Sequence, residues 1–412
     1  MRGYWLQAEV NIGMIGHVDH GKTSLTRALT GKWTDSHSEE LKRGITIKIG
    51  YADATFYKNE DGSEYATQAE AEKDKAKWKV SRSVSFLDAP GHETLMTTTI
   101  AASSIIDGAI LVIAANETCP QPQTEEHLMV LDILGIKNVV VVQNKIDLIP
   151  PEKAIENYNQ IKKFLKGSTA ENAPVIPISA NYNANIDKLV EAIETTILTP
   201  KRDTTLPARM YIARSFDINK PGASIDKLKG GVIGGSLIQG TLKIGDEIEL
   251  LPGLVKKSKD KEKESVEPLV LKIEAIMAGK ESVKEATPGG LLGIATQLDP
   301  SVAKSDHLVG NMIGKKGTLP SVLSEIVLEY SLLKREGFDN PAFKMGEPIV
   351  ISSGTATSVG AIMKLKGKNV YLKLKRPVCA ENQNKIAITR RLGQRWRLAG
   401  FGILKHQEKK VV

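Results

Sequence analysis

The chain has 412 residues, of which 41 % are hydrophobic, 25 % charged and 5 % aromatic, with a net charge of +8. At roughly 100–200 residues per domain that length implies two to four domains, and the hydrophobic content excludes global disorder. No apolar run approaches the roughly 20 residues a bilayer-crossing helix needs, so no membrane partner is expected.

The first residues, Met1 to Trp5, meet charged and polar residues before any long apolar region, so no signal peptide is expected. Up to about residue 200, short β-rich apolar runs at 10–15, 84–87, 109–114, 139–142 and 175–178 alternate with helical spacing at 95–105, 125–134, 152–165 and 186–197. That alternation predicts an α/β domain with a mostly parallel sheet covered on both faces. After Pro207 the helical period disappears and glycines punctuate short strands, from Gly230 to Gly290, which suits a small closed barrel. A further strand-rich block from about 321 to 404 predicts a second barrel. The expected division is therefore 1–203, 204–320 and 321–412. Two stretches look mobile: the charge run 256–265, read as a hairpin loop, and residues 58–79, an exposed insertion with six acids and five lysines.

The cysteines, Cys119 and Cys379, are too few for a disulfide framework or a metal site and fit a reducing cytoplasm. Charge is unevenly placed. Residues 361–412 carry fourteen Lys/Arg against two acids, a balance of +12, which leaves the rest of the chain at −4. Such asymmetry points to an anionic partner, most often nucleic acid, with a solvated basic surface as the bland alternative. Lys373, Lys375, Arg376, Arg390, Arg391, Arg395 and Arg397 are the candidate phosphate contacts. Trp396 among them could stack on a base, although an aromatic in a strand is more often core.

The strongest motif is Gly16-His17-Val18-Asp19-His20-Gly21-Lys22-Thr23, a GxxxxGK[ST] loop directly after a predicted strand. Its glycines let backbone N–H groups close on phosphates, Lys22 supplies a cation, Thr23 a hydroxyl for Mg²⁺, and the following helix its positive end. Asn144-Lys145-Ile146-Asp147 follows the 139–142 strand. There Asp147 can accept two hydrogen bonds from guanine N1 and N2 while Asn144 reaches the other ring edge, which adenine cannot match. Ser179-Ala180 is positioned to offer a backbone N–H to the guanine oxygen. Asp88-Ala89-Pro90-Gly91-His92 can hold Mg²⁺ through Asp88 and the γ-phosphate through the Gly91 N–H, and His92 can orient the attacking water. Arg43-Gly44-Ile45-Thr46 carries a second hydroxyl for the metal, and a loop ordered only by γ-phosphate and Mg²⁺ is a switch.

These motifs resemble those of the translational GTPases, with a G domain and two β-barrels as in elongation factor Tu. Longer stretches narrow the likeness: 33–50 (WTDSHSEELKRGITIKIG), 114–127 (AANETCPQPQTEEH), 214–222 (RSFDINKPG), 229–240 (KGGVIGGSLIQG) and 391–402 (RLGQRWRLAGFG). Together they are similar to the gamma subunits of archaeal translation initiation factor 2, over nearly the whole chain. The resemblance implies a cytoplasmic, GTP-dependent carrier of methionylated initiator tRNA to the small ribosomal subunit, working in a heterotrimer with alpha and beta subunits. It implies GTP or GDP at Asp19, His20, Gly21, Lys22, Thr23, Ser24, Gly91, Asn144, Lys145, Ile146, Asp147, Ser179, Ala180 and Asn181. It further implies Mg²⁺ at Thr23, Thr46 and Asp88, a second Mg²⁺ at Asp19 and the Gly44 backbone, and a gate of Val18 and Ile45 beside His92. One departure stands out. Many relatives carry a four-cysteine zinc knuckle where this chain has 58–79, which holds no cysteine and no histidine, so no zinc is expected. The 334–337 loop also looks short. An elongation-type or selenocysteine-specific carrier shares every GTPase motif, and the GTPase subunit of a sulfate-activating enzyme has the same three-domain plan but would need no tRNA. A P-loop kinase is disfavoured by the barrels and by the lack of a lid.

Overall fold

The computed structural model describes residues 7–32, 50–75, 77–88, 96–219, 222, 228–257, 264–279, 281–333, 340–392 and 395–405. The chain divides into two compact units, Met1–Lys201 and Arg202–Val412.

The first unit is built in the order β1 (Val10–Ile15), α1 (Lys22–Thr30), β2 (Gly50–Lys58), β3 (Tyr65–Ala66), α2 (Gln68–Ala71), β4 (Lys79–Asp88), α3 (Met96–Ser103), β5 (Gly108–Ala114), α4 (Pro122–Leu134), β6 (Val139–Asn144), α5 (Pro151–Leu165), β7 (Val175–Pro177) and α6 (Ile186–Thr196). Its seven-stranded sheet runs β3-β2-β4-β1-β5-β6-β7, with β4, β1, β5, β6 and β7 parallel and β2 and β3 antiparallel at one edge. Every residue of β1, β5 and β6 is buried, as expected for strands covered on both faces by helices. One face packs Val10, Ile12 and Met14 with Leu25, Leu29 and Leu189; the other packs Ile15, Leu111 and Ile113 with Leu128, Leu131 and Ile161. The carboxyl ends of β1, β4, β5 and β6 therefore emerge along one edge, where ligands bind in open α/β sheets.

The described part of the 58–79 segment, residues 58–75 and 77–79, is folded rather than a mobile insertion. The β2–β3 hairpin pairs Tyr57 with Ala66 and Lys58 with Tyr65, and Tyr65 packs against the main core. Thr67 caps α2 by accepting the Glu70 N–H at 3.4 Å. The charges meant for solvent pair locally, Lys79 with Glu60 at 3.0 Å and Lys77 with Glu64. Deeper in the unit, Arg82 of β4 pairs with Glu194 of α6 at 2.6 Å, both nearly buried. Its guanidinium also donates to the Ile193 and Ile197 carbonyls at 3.2 and 2.6 Å, satisfying groups that the α6 C-terminus leaves open.

The second unit holds β8 (Arg209–Phe216), β9 (Val232–Gln239), β10 (Leu242–Lys243), β11 (Glu247–Lys257), β12 (Glu264–Ala278), β13 (Glu281–Val283), β14 (Glu285–Ala286), β15 (Leu292–Thr296), β16 (Met312–Lys315), β17 (Val322–Leu332), β18 (Pro348–Ser353), β19 (Ala356–Lys366), β20 (Asn369–Cys379), β21 (Lys385–Leu392) and β22 (Arg395–Lys405). Strands β11-β16-β8-β9-β15-β12 close on themselves through the β11–β12 pairing, and β17-β20-β19-β18-β21-β22 form a second closed barrel. The long β11–β12 hairpin carries the charge run; its tip, 258–263, lies outside the described residues, as does 334–339.

Two expectations for the basic tail need correction. Arg390 is not offered to an anion: it is buried, donating to Glu347 Oε1 at 2.8 Å and to the Pro341 carbonyl, with its guanidinium over the Phe343 ring. Trp396 is not core. It is 37 % exposed and sits opposite exposed Arg391 in the β21–β22 register. Among the described residues no helix is long and apolar enough to cross a membrane, and no cluster of three or more His, Cys, Asp or Glu gathers for a metal.

Candidate functional site

The phosphate loop leaves β1 at Gly16 and enters α1 at Gly21, and both positions demand glycine. Gly16 has φ +140° and a Cβ there would lie 2.3 Å from the Val112 carbonyl oxygen; Gly21 has φ +88° and a Cβ there would lie 2.4 Å from Asn144 Nδ2. Lys22 is buried in the first turn of α1, and its ammonium donates to the Gly16 and His17 carbonyls at 3.0 and 2.7 Å. The cation is thus stretched back along its own loop, at the concave side where the helix N-terminus adds positive potential.

Thr23 Oγ1 donates to Asp88 Oδ2 at 2.8 Å, which joins the start of α1 to the buried end of β4. A hydroxyl and a carboxylate in contact are hard oxygen donors of the kind Mg²⁺ takes through few protein ligands, so the pair fits that ion. Asp19 is exposed and holds a left-handed φ of +63°. Val18 is half-buried beside it, and Ser24 follows in the first turn of α1. Gly44, Ile45, Thr46, Gly91 and His92 lie outside the described residues.

His20 is buried. Its Nδ1 lies 2.9 Å from the Val112 carbonyl and its Nε2 3.4 Å from Glu117 Oε2. Burial drives its pKa down to about 4, against the opposing pull of the Val112 carbonyl and Glu117. Glu117 is itself held from behind: Asn157 of α5 donates to the Glu117 carbonyl at 2.7 Å and accepts from Gln143 Nε2 at 2.9 Å.

The segment expected to read the base, Asn144 to Asp147, grows from β6. Asn144 is buried and spends its amide on the protein, donating through Nδ2 to the His20 carbonyl at 2.9 Å and accepting through Oδ1 from the Ala180 N–H at 3.1 Å. One side chain therefore links three of the loops expected to surround the nucleotide. Lys145 turns the chain with φ +65° into the short helical turn Ile146–Leu148, which leaves Asp147 exposed at the mouth. Reciprocal hydrogen bonds between Ser179 and Ala184, at 3.3 and 3.1 Å, close the loop that carries Ala180 and Asn181.

Sequence reasoning missed His127. The Gly16 N–H donates to His127 Nδ1 at 2.8 Å, and the ring is buried in α4. Burial, with the positive field of Lys22 second, pushes its pKa down to about 3. Its signal was present: Thr124, His127, Leu128 and Leu131 recur at helical spacing, so the histidine falls on an apolar face.

A phosphate loop between strand and helix, an Asn-Lys-x-Asp segment at the next sheet edge and two trailing barrels define a P-loop GTPase of the translational class. Family models agree: residues 7–199 match "Elongation factor Tu GTP binding domain", 230–303 "Elongation factor Tu domain 2" and 324–404 "Initiation factor eIF2 gamma, C terminal". The chain is 54 % identical over 407 residues to "Translation initiation factor 2 subunit gamma" of Methanococcus vannielii, covering 97 % of this chain and 98 % of that protein. It is 53 % identical over 404 residues to the proteins of that name from Methanocaldococcus jannaschii and Pyrococcus furiosus, with the same coverage. The chain belongs to the family of translation initiation factor 2 gamma subunits. Among solved structures, the elongation factor SelB of Methanococcus maripaludis with the GTP analogue GppNHp superposes with TM-score 0.73 at 24 % identity, covering 98 % of this chain and 80 % of that one. The bacterial selenocysteine-specific factor EF-Sec gives 0.72 at 23 % identity, covering 96 % and 58 %. At such identities these two speak for the fold alone.

Proposed function

We propose that this GTPase binds methionylated initiator tRNA in its GTP state, delivers it to the small ribosomal subunit and lets go after hydrolysis, as one subunit of a cytoplasmic heterotrimer with alpha and beta partners. The observation that carries this reading is the initiation-factor type of the last barrel, residues 324–404, behind a domain of the elongation factor Tu GTP-binding type. The three-part division at about residues 203 and 320 is proposed with it.

In this reading the loop from Asp19 to Ser24 wraps the phosphates with backbone N–H groups, and Lys22 exchanges the Gly16 and His17 carbonyls for β- and γ-phosphate oxygens. Thr23 and Asp88 hold Mg²⁺ together with Thr46, and Asp19 with the Gly44 backbone holds a second ion. The metal, when bound, neutralises charge on the phosphate oxygens. Asp147 accepts from guanine N1 and N2, Lys145 and Ile146 flank the base, and the loop of Ser179, Ala180 and Asn181 lies at its carbonyl edge. Gly91 senses the γ-phosphate. His92 orients the water that attacks phosphorus as the bond to the β-phosphate oxygen breaks, with Val18 and Ile45 gating its approach. Lys373, Lys375, Arg376 and Arg391 are exposed and would contact RNA phosphates.

The test is binding of methionylated initiator and elongator tRNA at fixed salt, with a non-hydrolysable GTP analogue and then GDP, in the presence of the alpha-type partner. Initiator tRNA bound tightly only in the GTP state is expected. Equal binding of both tRNAs points to an elongation-type carrier, and no binding at all points to a GTPase of metabolism.

A further inference from the structure

We infer that His127 is a positioning residue of the nucleotide site: as a neutral imidazole it fixes the entrance of the phosphate loop by accepting the Gly16 N–H, and so sets how long the protein retains its nucleotide.

The geometry leaves the Gly16 peptide few other anchors. The β1–β5 ladder ends at the Ile15–Leu111 pair, so the next N–H has no strand partner, and His127 Nδ1 takes it at 2.8 Å. The other side of the same residue is held too, because the Gly16 carbonyl accepts from Lys22 Nζ at 3.0 Å. His127 and Lys22 thus grip one residue from opposite ends, at a position where a Cβ would collide with the Val112 carbonyl oxygen. A shift there would carry the loop N–H groups and the Lys22 ammonium away from the phosphate positions.

The chemistry requires one particular form of the ring. Nδ1 can accept only if the proton sits on Nε2, and an imidazolium would set N–H against N–H. The groups facing the ring, Lys22, His17 and His20, are cationic or basic, and the ring is 1 % exposed, so its surroundings oppose a charge on it. Nε2 has no hydrogen-bond partner among the described residues. An unpaired buried N–H is a cost to the fold. A hydrophobe of similar size would avoid it only by leaving the Gly16 N–H unpaired instead, so what histidine adds here is the Nδ1 acceptor that holds the loop entrance.

The inference rests on residues 16–23 being the nucleotide loop, and the experiment separates the two. Dissociation of a fluorescent GDP is followed for the full chain and for the His127→Leu and His127→Gln variants, alongside their melting temperatures. His127→Leu should release GDP about tenfold faster, the effect of one lost hydrogen bond. His127→Gln, whose amide oxygen can accept, should restore most of the retention. A Leu variant that matches the wild type overturns the inference, as do Leu and Gln variants that release GDP equally fast with equally lowered melting. If the Leu variant does not fold, ring ¹⁵N shifts of the wild type decide: the Nε2–H form from about pH 6 to about pH 8 is required, and an Nδ1–H tautomer or an imidazolium rules the role out. Were the loop assignment wrong, the wild type itself would hold no labelled GDP.

Discussion

Asn144 donates through Nδ2 to the carbonyl of His20 at 2.9 Å, joining the end of β6 to the middle of the phosphate loop. Because its Oδ1 takes the Ala180 N–H at 3.1 Å, the asparagine works as a brace between three loops, those of residues 16–21, 144–147 and 179–184. In the proposed reading it is the aspartate three residues on, Asp147, that meets the base. This division follows from burial: Asn144 lies under the loops and Asp147 at their rim.

Removal of the brace should therefore cost affinity for every part of the nucleotide at once. Asn144→Ala leaves the His20 carbonyl and the Ala180 N–H unpaired at a buried position, and each loss is worth about 1–3 kcal/mol. GDP affinity should fall about 10- to 100-fold or more, with GDP and xanthosine diphosphate losing alike. Titration with fluorescent analogues checks it. A loss confined to guanine would mean that Asn144 reads the base.

Asp147→Asn should behave differently. The carboxylate offers two acceptors to guanine N1 and N2, and an amide replaces one acceptor by a donor, as xanthine needs at its own 2-position oxygen. GDP affinity should drop about 100-fold while xanthosine diphosphate binding rises, with the melting temperature of the nucleotide-free protein unchanged, since Asp147 is exposed. Competition between the two diphosphates is the direct measurement.

Arg82 and Glu194 carry the opposite kind of prediction, about stability rather than ligand. Arg82→Met strands a buried carboxylate and frees the Ile193 and Ile197 carbonyls at the end of α6. The expected loss is about 3–5 kcal/mol, whereas Arg82→Met combined with Glu194→Leu should recover a large part of it, because both charges leave together. Denaturant unfolding of the two variants distinguishes a buried pair from a surface one, for which the single change would cost under about 1 kcal/mol.

The class of fold was legible because its signals are local. β1, β5 and β6 are apolar on both faces, and α5 and α6 keep a 3.6 period, so period and length alone separate strand from helix. The phosphate loop was legible for the same reason, since its glycines and Lys22 are adjacent in sequence. What stayed hidden depends on contacts between distant residues. His127 meets Gly16 across 111 positions, and Arg390 finds Glu347 only through the β18–β21 pairing. Composition counted Arg390 as free charge, and strand propensity counted Trp396 as core. The 58–79 segment looked unstructured because its charges read as solvated, yet Tyr65, Ala66 and Ala71 supply enough apolar surface to anchor it.

His20 and His127 together give the protein an acid-sensitive core. Folding lowers both, to about 4 and about 3, from an ordinary value near 6.5. Between those folded values and 6.5 the unfolded chain binds protons that the folded one refuses, so stability is full above about pH 6.5 and falls as the pH drops through that window. At pH 5 each ring should have cost about 2 kcal/mol relative to neutral pH. Denaturant unfolding of the nucleotide-free protein between pH 7.5 and 5 should show that slope, and His127→Gln should remove about half of it. The remaining half belongs to His20, whose Glu117 neighbour at 3.4 Å softens the loss by favouring the charged ring. A flat profile would mean that the rings take up protons in the fold as readily as in the unfolded chain, and once Nδ1 carries a proton His127 could no longer take the Gly16 N–H.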